Sequence, residues 1–299
     1  MPPLVLASWD FCGIMAVENG ERKNAMSYKI IASDLDGTLL NKDGVVSPEN
    51  WAAIRKLHEM GIFVVPASGR AYTAMPQELR ESPYIRFYIT SDGTTVYDKD
   101  TDTTHELPMD RALAHEVLDK LYSYPVCPMV HADINSYVDM DTHNAADYES
   151  YHMTPYWVAY TLKYEIPKAN FKEFIYNLPT IQSVVPFFKH HAHLEECKAY
   201  FEKDPRLLVV QSDPEDLEVF SVNAGKGNAL RLLASLLDVD EKNTIAVGDS
   251  TNDKTMVEAA GLGLAVENAV PELKAAADKV VCHHTQHVMQ YILQNYIDC

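Results

Sequence analysis

The sequence predicts an α/β fold in which a doubly wound parallel sheet is interrupted by an inserted α+β domain. Near both ends of the chain, short apolar runs alternate with helical patterns, which is the order of a parallel sheet with crossover helices. The stretch between them, residues 107–211, is rich in Tyr and His and lacks this alternation. We therefore expect residues 27–106 and 212–299 to form the core, and residues 107–211 to form the insertion.

The first half of the core begins with an apolar run at residues 28–32 that predicts a strand. A Gly-containing turn follows at residues 41–46, and Ser47-Pro48 has the residue types of an N-cap and a first helical position. Residues 62–66 are continuously apolar, as expected of a strand buried on both faces. After a further helix, a third strand is predicted at residues 84–90.

The second half of the core repeats this alternation. Its predicted elements are a helix opened by Lys226, a strand at 244–247, a loop at 248–253 leading into a helix, a strand at 262–266, a helix from Pro271 and a last short strand at 279–282.

Composition limits the possible functions. The 299-residue chain carries a formal net charge of -18, so it lacks the basic surface with which proteins bind nucleic acid. A phosphate-bearing ligand would have to be held by local positive charge or by a metal. No apolar run is long enough to span a bilayer, so no membrane association is expected. The five cysteines are scattered and lack CxxC spacing, which is typical of reduced thiols in a cytoplasmic protein.

The first residues differ from the core that follows. Two mildly apolar stretches, residues 2–6 and 11–17, are interrupted by Asp10 and are preceded by no basic residue, which argues against a signal peptide. The domain begins naturally near Met26. We therefore expect residues 1–26 to be a disordered N-terminal extension.

The most informative motif is Ser33-Asp34-Leu35-Asp36-Gly37-Thr38, directly after the first predicted strand. Strand side chains alternate, so Asp34 and Asp36 project to the same side. Two close carboxylates repel each other unless a cation or a reaction needs them. The pair suits a metal-assisted nucleophile with a general acid/base beside it. A strand that simply runs into an Asp-Gly turn is the alternative.

Three further motifs contain polar residues at equivalent places: Ser68-Gly69-Arg70, Lys226-Gly227 and the run from Gly248 to Asp253. Each alone has a structural explanation, namely a turn, a solvated lysine or a capped helix start. In open parallel sheets, however, ligands bind beyond the carboxyl ends of the strands, and all of these motifs fall there. Their joint placement favours a single active site.

Together these motifs resemble those of the haloacid dehalogenase-like (HAD) phosphohydrolases. The resemblance rests on Asp34-Leu35-Asp36-Gly37-Thr38, Ser68-Gly69-Arg70, Lys226-Gly227 and Gly248-Asp249-x-x-Asn252-Asp253. The position and size of the insertion resemble the Cof-type subfamily, in which a large α/β cap of the C2 type covers a Rossmann-like core. The resemblance covers residues 27–298.

The resemblance implies the catalytic roles. Asp34 would attack phosphorus and form an aspartyl-phosphate, and Asp36 would protonate the leaving group and then activate water. Ser68 would hydrogen-bond a phosphoryl oxygen, and Lys226 would stabilise charge on both the nucleophile and the phosphoryl group. Because relatives that dehalogenate lack an acid at the position of Asp36, its presence favours hydrolysis.

The resemblance also implies the binding residues. Mg²⁺ would be the cofactor, with Asp34, Asp36 (through its backbone carbonyl), Asp249 and Asp253 as the metal-site residues, Asp253 in the water shell or orienting Lys226. The implied substrate- and phosphate-binding residues are Thr38, Ser68, Gly69, Arg70, Lys226, Asn252 and Asn268.

Weaker signals lie outside the motifs. Asp92 stands where the family usually has Asn, so it would repel a phosphate and could instead bind a substrate hydroxyl or amine. Residues 190–195 hold three histidines and a glutamate, for which a solvated polar face is favoured over a metal site. The aromatic residues of the stretch 148–160 either line a pocket or pack the cap, and packing is favoured.

We predict a Mg²⁺-dependent phosphatase that acts on a small phosphate ester, such as a sugar phosphate or a phosphorylated cofactor, as a monomer or a homodimer. A phosphomutase or phosphotransferase with the same site is the nearest alternative. A non-catalytic phosphate-binding module is the other alternative, and the complete motif set counts against it.

Overall fold

The computed structural model describes residues 28–211 and 217–297, and strands alternate with helices near both ends as predicted. The strands are β1 (Ile30–Ser33), β2 (Phe63–Pro66), β3 (Phe87–Thr90), β4 (Thr95–Asp98), β5 (Thr103–Glu106), β6 (Val126–Ala132), β7 (Asn135–Asp139), β8 (Ile166–Lys168), β9 (Ser183–Phe188), β10 (Leu207–Val210), β11 (Glu218–Ser221), β12 (Thr244–Gly248), β13 (Leu262–Ala265) and β14 (Lys279–Val280). The helices are α1 (Pro48–Glu59), α2 (Gln77–Glu81), α3 (Arg111–Leu121), α4 (Ala145–Ser150), α5 (Pro155–Tyr164), α6 (Phe171–Tyr176), α7 (His191–Phe201), α8 (Lys226–Leu236), α9 (Lys254–Ala259), α10 (Pro271–Ala276) and α11 (Val288–Ile292). The predicted N-terminal extension, residues 1–26, lies outside the described residues.

A five-stranded parallel sheet in the order β14-β13-β12-β1-β2 forms the centre of the core. Successive strand residues face opposite sides, so Ile31 packs into one apolar cluster and Ala32 into another. Helices α1, α10 and α11 cover the first side, and α8 covers the second. Because both faces are buried, the strands read as continuous apolar runs, and the predicted doubly wound fold is confirmed.

Helix α1 begins as its sequence indicates. The backbone N–H of Asn50 donates to the Ser47 side chain at 3.2 Å, and Pro48 occupies the first helical position, where its missing N–H has no helical partner to lose.

The third predicted strand leaves the parallel pattern. β3 is joined to the main sheet by one parallel bridge, Ala67 to Ile89, and then pairs antiparallel with β4, which pairs with β5. The short connection at Ser91–Gly93 allows this, since neighbouring antiparallel strands need only a tight turn whereas parallel ones need a crossover.

The inserted domain is built on a second sheet of six strands in the order β10-β11-β9-β6-β7-β8. β11 pairs with both β9 and β10 although it lies beyond residue 211, so the boundary expected between residues 211 and 212 falls between two paired strands. Dividing them would expose the backbone groups of a sheet edge. We propose that the insertion continues to Ser221.

The two faces of this second sheet have different neighbours. One face packs against α3, α6 and α7 in a large apolar cluster. The other packs against α4 and α5 in a smaller cluster that includes Met129 and Val185. Because Met129 and Val185 also line a cavity with residues of the core, this second face overlies the strand ends of the core sheet.

Candidate active site

The predicted motifs meet at the carboxyl edge of the core sheet. Asp34 directly follows β1, Ser68 follows β2, and Asp249 follows β12. All three line one cavity of about 390 Å³ between core and insertion. Lys226, the first residue of α8, lies behind them, with its Nζ 2.9 Å from Asp34 Oδ1.

A tight turn after β1 fixes the first motif. The N–H of Leu39 donates to the carbonyl of Asp34 at 3.2 Å. Gly37 has φ +82°, and a Cβ there would collide with the Asp249 carboxylate. Asn268 donates to the Gly37 carbonyl at 2.8 Å and accepts from the His284 N–H at 3.0 Å, so its side chain holds the turn. The turn therefore brings Asp34 and Asp249 close together.

Lys226 is a buried ion-pair partner, which excludes the alternative of a solvated lysine. It is 1% exposed and donates to Asp34 at 2.9 Å and to Asp253 at 2.6 Å. The second oxygen of Asp253 accepts from the N–H groups of Asp249 at 3.0 Å and Ser250 at 3.1 Å. Asp253 thus orients both the lysine and the loop that carries Asp249.

The carboxylates around Lys226 are electrostatically crowded. Oxygens of Asp34, Asp249 and Asp253 all lie within 4.8 Å of one another. Burial, and then repulsion by Asp253, raise the pKa of Asp34 well above its usual range. The same two causes raise the pKa of Asp249 to about 6. One lysine does not neutralise three acids, and oxygen ligands in such a cluster are those that a hard divalent cation prefers.

Asp36, the remaining predicted metal-site residue, turns its side chain away from this cluster. Its two oxygens accept from Arg70 Nε at 3.0 Å and Nη2 at 2.8 Å. Arg70 Nη2 also donates to the hydroxyl of Tyr156 on α5 at 3.0 Å, and its guanidinium lies 5.4 Å from the centre of the Tyr160 ring. Arg70, predicted to bind phosphate, therefore connects the second acid to the insertion.

Other predicted residues support the loops. Thr38 is fully buried, and its hydroxyl donates to Asp249 at 3.4 Å. Ser68 lines the cavity, and its hydroxyl accepts from the Arg70 N–H at 3.3 Å. A Cβ on Gly69 would lie 2.6 Å from a carboxylate oxygen of Asp92, so only glycine fits between that acid and the cavity.

Asp92 is positioned differently from what its sequence context suggests. It is 2% exposed, and its carboxylate accepts from the Asn252 side chain at 2.9 Å. Asn252 is among the described residues that line the cavity, whereas Asp92 is not. Asp92 therefore holds Asn252 at the cavity wall, and the suggested contact of Asp92 with a substrate hydroxyl or amine stays a prediction.

The insertion contributes residues that sequence reasoning missed: Met129, His131, Glu165, Val185 and Glu218. The favoured packing role is right for Tyr148, which is completely buried, and for Trp157, which packs against the same apolar cluster of the insertion. Tyr156, Trp157 and Tyr160 also line the cavity, which is the alternative that the sequence left open. One local signal for the cavity was available in the sequence: Tyr156 and Tyr160 lie four positions apart on one face of α5, and Glu165 follows that helix.

The three histidines at residues 190–195 lie at the start of α7. His191 has a side chain that is 58% exposed, as the solvated-face interpretation predicts. Within the described residues, the acid cluster of the core sheet is the one group whose ligand atoms are close enough to share a metal ion.

In the part of the chain that the structure describes, no helix is both long and apolar enough to cross a membrane.

A buried aspartate–lysine pair beside further acids, at the carboxyl edge of a parallel sheet and below an inserted domain, is suited to phosphoryl transfer. The profile of the haloacid dehalogenase-like hydrolases matches residues 31–293, and the chain belongs to this family.

Comparison with individual relatives agrees with this assignment. The chain is 30% identical over 292 residues to Phosphatase YwpJ of Bacillus subtilis, covering 90% of this chain and 100% of that protein. It is 29% identical over 290 residues to 5-amino-6-(5-phospho-D-ribitylamino)uracil phosphatase YwtE of the same organism, with coverages of 90% and 98%. A solved haloacid dehalogenase-like hydrolase from B. subtilis superposes with a TM-score of 0.75 at 29% identity, with coverages of 90% and 100%. The predicted Cof-type family and the predicted enzyme class, a phosphatase, are confirmed.

Proposed function

We propose that this phosphatase hydrolyses the phosphate monoester of a small metabolite through a phosphorylated Asp34, with Mg²⁺ as its cofactor. The observation that carries the proposal is the placement of Asp34: it borders an open cavity, while its Oδ1 contacts the buried Lys226 at 2.9 Å. A carboxylate held on one side by a cation and open on the other is suited to in-line attack.

In the first step, an oxygen of Asp34 forms a bond to phosphorus as the bond between phosphorus and the ester oxygen breaks. The leaving oxygen takes a proton from Asp36. In the second step, Asp36 removes a proton from water, the water oxygen bonds to phosphorus, and the acyl phosphate bond to Asp34 breaks to give inorganic phosphate.

Charge on the phosphoryl group is countered from several directions. Lys226 supplies a fixed positive charge, and the Ser68 hydroxyl at the cavity wall can donate to a phosphoryl oxygen. Asp34, Asp249 and the backbone carbonyl of Asp36 would hold Mg²⁺, which supplies Lewis-acid neutralisation of the phosphoryl oxygens. Asp253 acts through Lys226 and the Asp249 loop, because both of its oxygens are already bonded to them.

Arg70 has a positioning role. It binds both oxygens of Asp36 and the hydroxyl of Tyr156 at the same time, so the location of the acid/base depends on the insertion being closed over the core. Because both oxygens of Asp36 accept from Arg70 here, Arg70 must release one of them when Asp36 donates or takes up a proton.

The size of the site points to a small substrate. A cavity of about 390 Å³ lies near the lower end of the range for small-molecule sites, which suits one ring or a short polyol with a single phosphate. Sugar phosphates and phosphorylated cofactors both fall in this range, and the relative YwtE is named for a phosphorylated ribitylamino-uracil.

The test is phosphate release from a panel of phosphorylated metabolites, with Mg²⁺ and with EDTA, using the wild type, Asp34→Asn and the exposed control Asp43→Asn. We expect Mg²⁺-dependent release that Asp34→Asn abolishes and Asp43→Asn leaves unchanged. Release by Asp34→Asn at the wild-type rate would overturn the nucleophile assignment. Transfer to a sugar acceptor in preference to water would identify a phosphotransferase, and binding without release would identify a phosphate-binding module.

A further inference from the structure

The wall that the insertion contributes to the cavity is acidic. Glu165 follows the last residue of α5, and Glu218 is the first residue of β11. Both line the cavity, although Glu165 is only 6% exposed and Glu218 only 7%. Placing the Glu165 carboxylate in a buried wall is costly unless its charge meets something that compensates it.

Glu165 has unused hydrogen-bonding capacity. Its Oε2 is buried and has no hydrogen-bond partner among the described residues. Burial raises the pKa of this carboxyl to about 7, above the value of 4.5 for an ordinary glutamate, against a smaller lowering by the nearby Ser136 hydroxyl. An unpartnered hydrogen-bond acceptor on a residue that lines a ligand cavity is best satisfied by a donor that arrives with the ligand.

The remaining cavity wall offers little to a negatively charged leaving group. Of the described lining residues, Arg70 is the one lysine or arginine, and it is bound to Asp36 and Tyr156. Burial lowers the pKa of His131 to about 4, so its ring is neutral near pH 7, and it shares a hydrogen bond of 2.9 Å with Ser183.

Aromatic residues line the rest of the cavity, and the Tyr160 ring already faces the Arg70 guanidinium at 5.4 Å. Tyr156, Trp157 and Tyr160 line the same cavity, with the rings of Trp157 and Tyr160 5.2 Å apart. Aromatic faces attract cations and pack well against the carbon skeleton of a ligand.

We propose that the preferred substrate is a phosphate monoester whose leaving group carries a cationic amine, and that Glu165 receives this amine. The inference rests on the proposed phosphatase function and names the substrate class of that site. Esters with a second anionic group, such as a carboxylate or another phosphate, are disfavoured because they would meet Glu165 and Glu218. An approaching ammonium favours the carboxylate form of Glu165, and a charge-assisted hydrogen bond then replaces its missing partner.

The test uses three matched series of alkyl phosphates, from ethyl to hexyl, that end in an amine, a hydroxyl or a carboxylate. Phosphate release is measured with Mg²⁺ at about pH 8, above the pKa of about 7 of Glu165. Several chain lengths are needed because the length that gives the highest kcat/KM indicates the distance between the reacting phosphate and Glu165. At that length we expect kcat/KM to fall in the order amine, hydroxyl, carboxylate.

Glu165→Gln should lower kcat/KM for the best amine roughly ten- to a hundredfold, the size of one charge-assisted hydrogen bond, mainly through KM. The loss for the hydroxyl series should be smaller, because a hydroxyl carries no charge to pair with Glu165, and circular dichroism shows whether the variant is folded. Glu218→Gln should shift the amine preference in the same direction, and the exposed Glu149→Gln in the same domain should not.

The outcomes separate the two proposals. No release from any ester would overturn the phosphatase proposal itself. Release from all three series without an amine preference would overturn the amine inference alone. An amine preference that Glu165→Gln leaves intact would overturn the assignment of Glu165.

Discussion

Glu165→Gln also makes a prediction about stability that is independent of turnover. In the ligand-free protein the Glu165 carboxylate is almost completely buried, and its Oε2 is unpartnered among the described residues. Glutamine has nearly the same shape but carries no charge. The substitution should therefore stabilise the free protein wherever Glu165 is ionised, because it removes the cost of a buried charge.

The pKa of Glu165 sets the magnitude and the pH range of this effect. Burial raises the pKa from 4.5 to about 7, which corresponds to about 3 kcal/mol of free energy at 1.36 kcal/mol per pH unit. A raised carboxyl pKa means that the folded state binds the proton more tightly than the unfolded state. The cost is thus nearly absent at about pH 4.5, grows as the pH rises, and is complete above about pH 7.

The measurement is urea unfolding of the wild type and Glu165→Gln in EDTA, followed by circular dichroism at about pH 5 and about pH 8.5. We expect the two proteins to be similar at the lower pH, and the variant to be more stable by about 3 kcal/mol at the higher pH. The exposed Glu149→Gln is the matched control. Other titrating groups are common to both proteins and cancel in the difference. A difference that is the same at both pH values would refute the reasoning.

Three further predictions concern the core and its contact with the insertion. Asp249→Asn should raise Tm in EDTA at about pH 8, because the pKa of Asp249 is raised to about 6 and its ionised form therefore destabilises the folded protein above that pH. The variant should also lose the stabilisation by Mg²⁺ expected of the wild type. Thermal melts with and without Mg²⁺ measure both effects. Lys226→Met should lower the free energy of unfolding by roughly 3–5 kcal/mol and abolish phosphate release, since it leaves two buried carboxylates without their cation; wild-type stability in urea would contradict this. Tyr156→Phe should reduce kcat/KM about two- to tenfold without changing Tm, because it removes one hydrogen bond to Arg70 at a residue that is 56% exposed; unchanged kinetics would show that the contact does not serve catalysis.

The core could be predicted from the sequence because its signals are local. Each motif follows a strand or opens a helix, and the geometry of parallel sheets then brings the strand ends together. The pairing of Asp34 with Lys226 follows from the family resemblance, which implies that the lysine stabilises charge on the nucleophile. Their separation of 192 positions shows why spacing alone does not reveal it.

The insertion was harder to interpret because its cavity residues come from separate elements. Met129 lies on β6, Glu165 follows α5, and Glu218 lies on β11, so no local spacing connects them. The two roles of the aromatic residues of α5 were hard to separate for a related reason. Helical spacing shows that Tyr156 and Tyr160 share a face, but the same spacing serves a buried core and a ligand cavity equally well.

Arg70 illustrates a third limit of sequence reasoning. The family resemblance implies a phosphate contact for Arg70, which stays a prediction, while the structure shows its guanidinium joining Asp36 to Tyr156. Arginine is long and binds any well-placed carboxylate in a bidentate manner, so its partner depends on which groups the fold places within reach.

The charge distribution of the protein explains how the site could bind a substrate more tightly than the inorganic phosphate product. With a net charge of -18, the protein repels anionic ligands at long range. Within the site, Lys226 is paired with Asp34 and Asp253, so little uncompensated positive charge is left to attract a phosphate without a metal. Under the proposed mechanism, affinity must then come from Mg²⁺ and from the leaving group. A cationic leaving group gains from the same acidic wall that repels the product phosphate, and a substrate can thereby be held more tightly than the inorganic phosphate it yields.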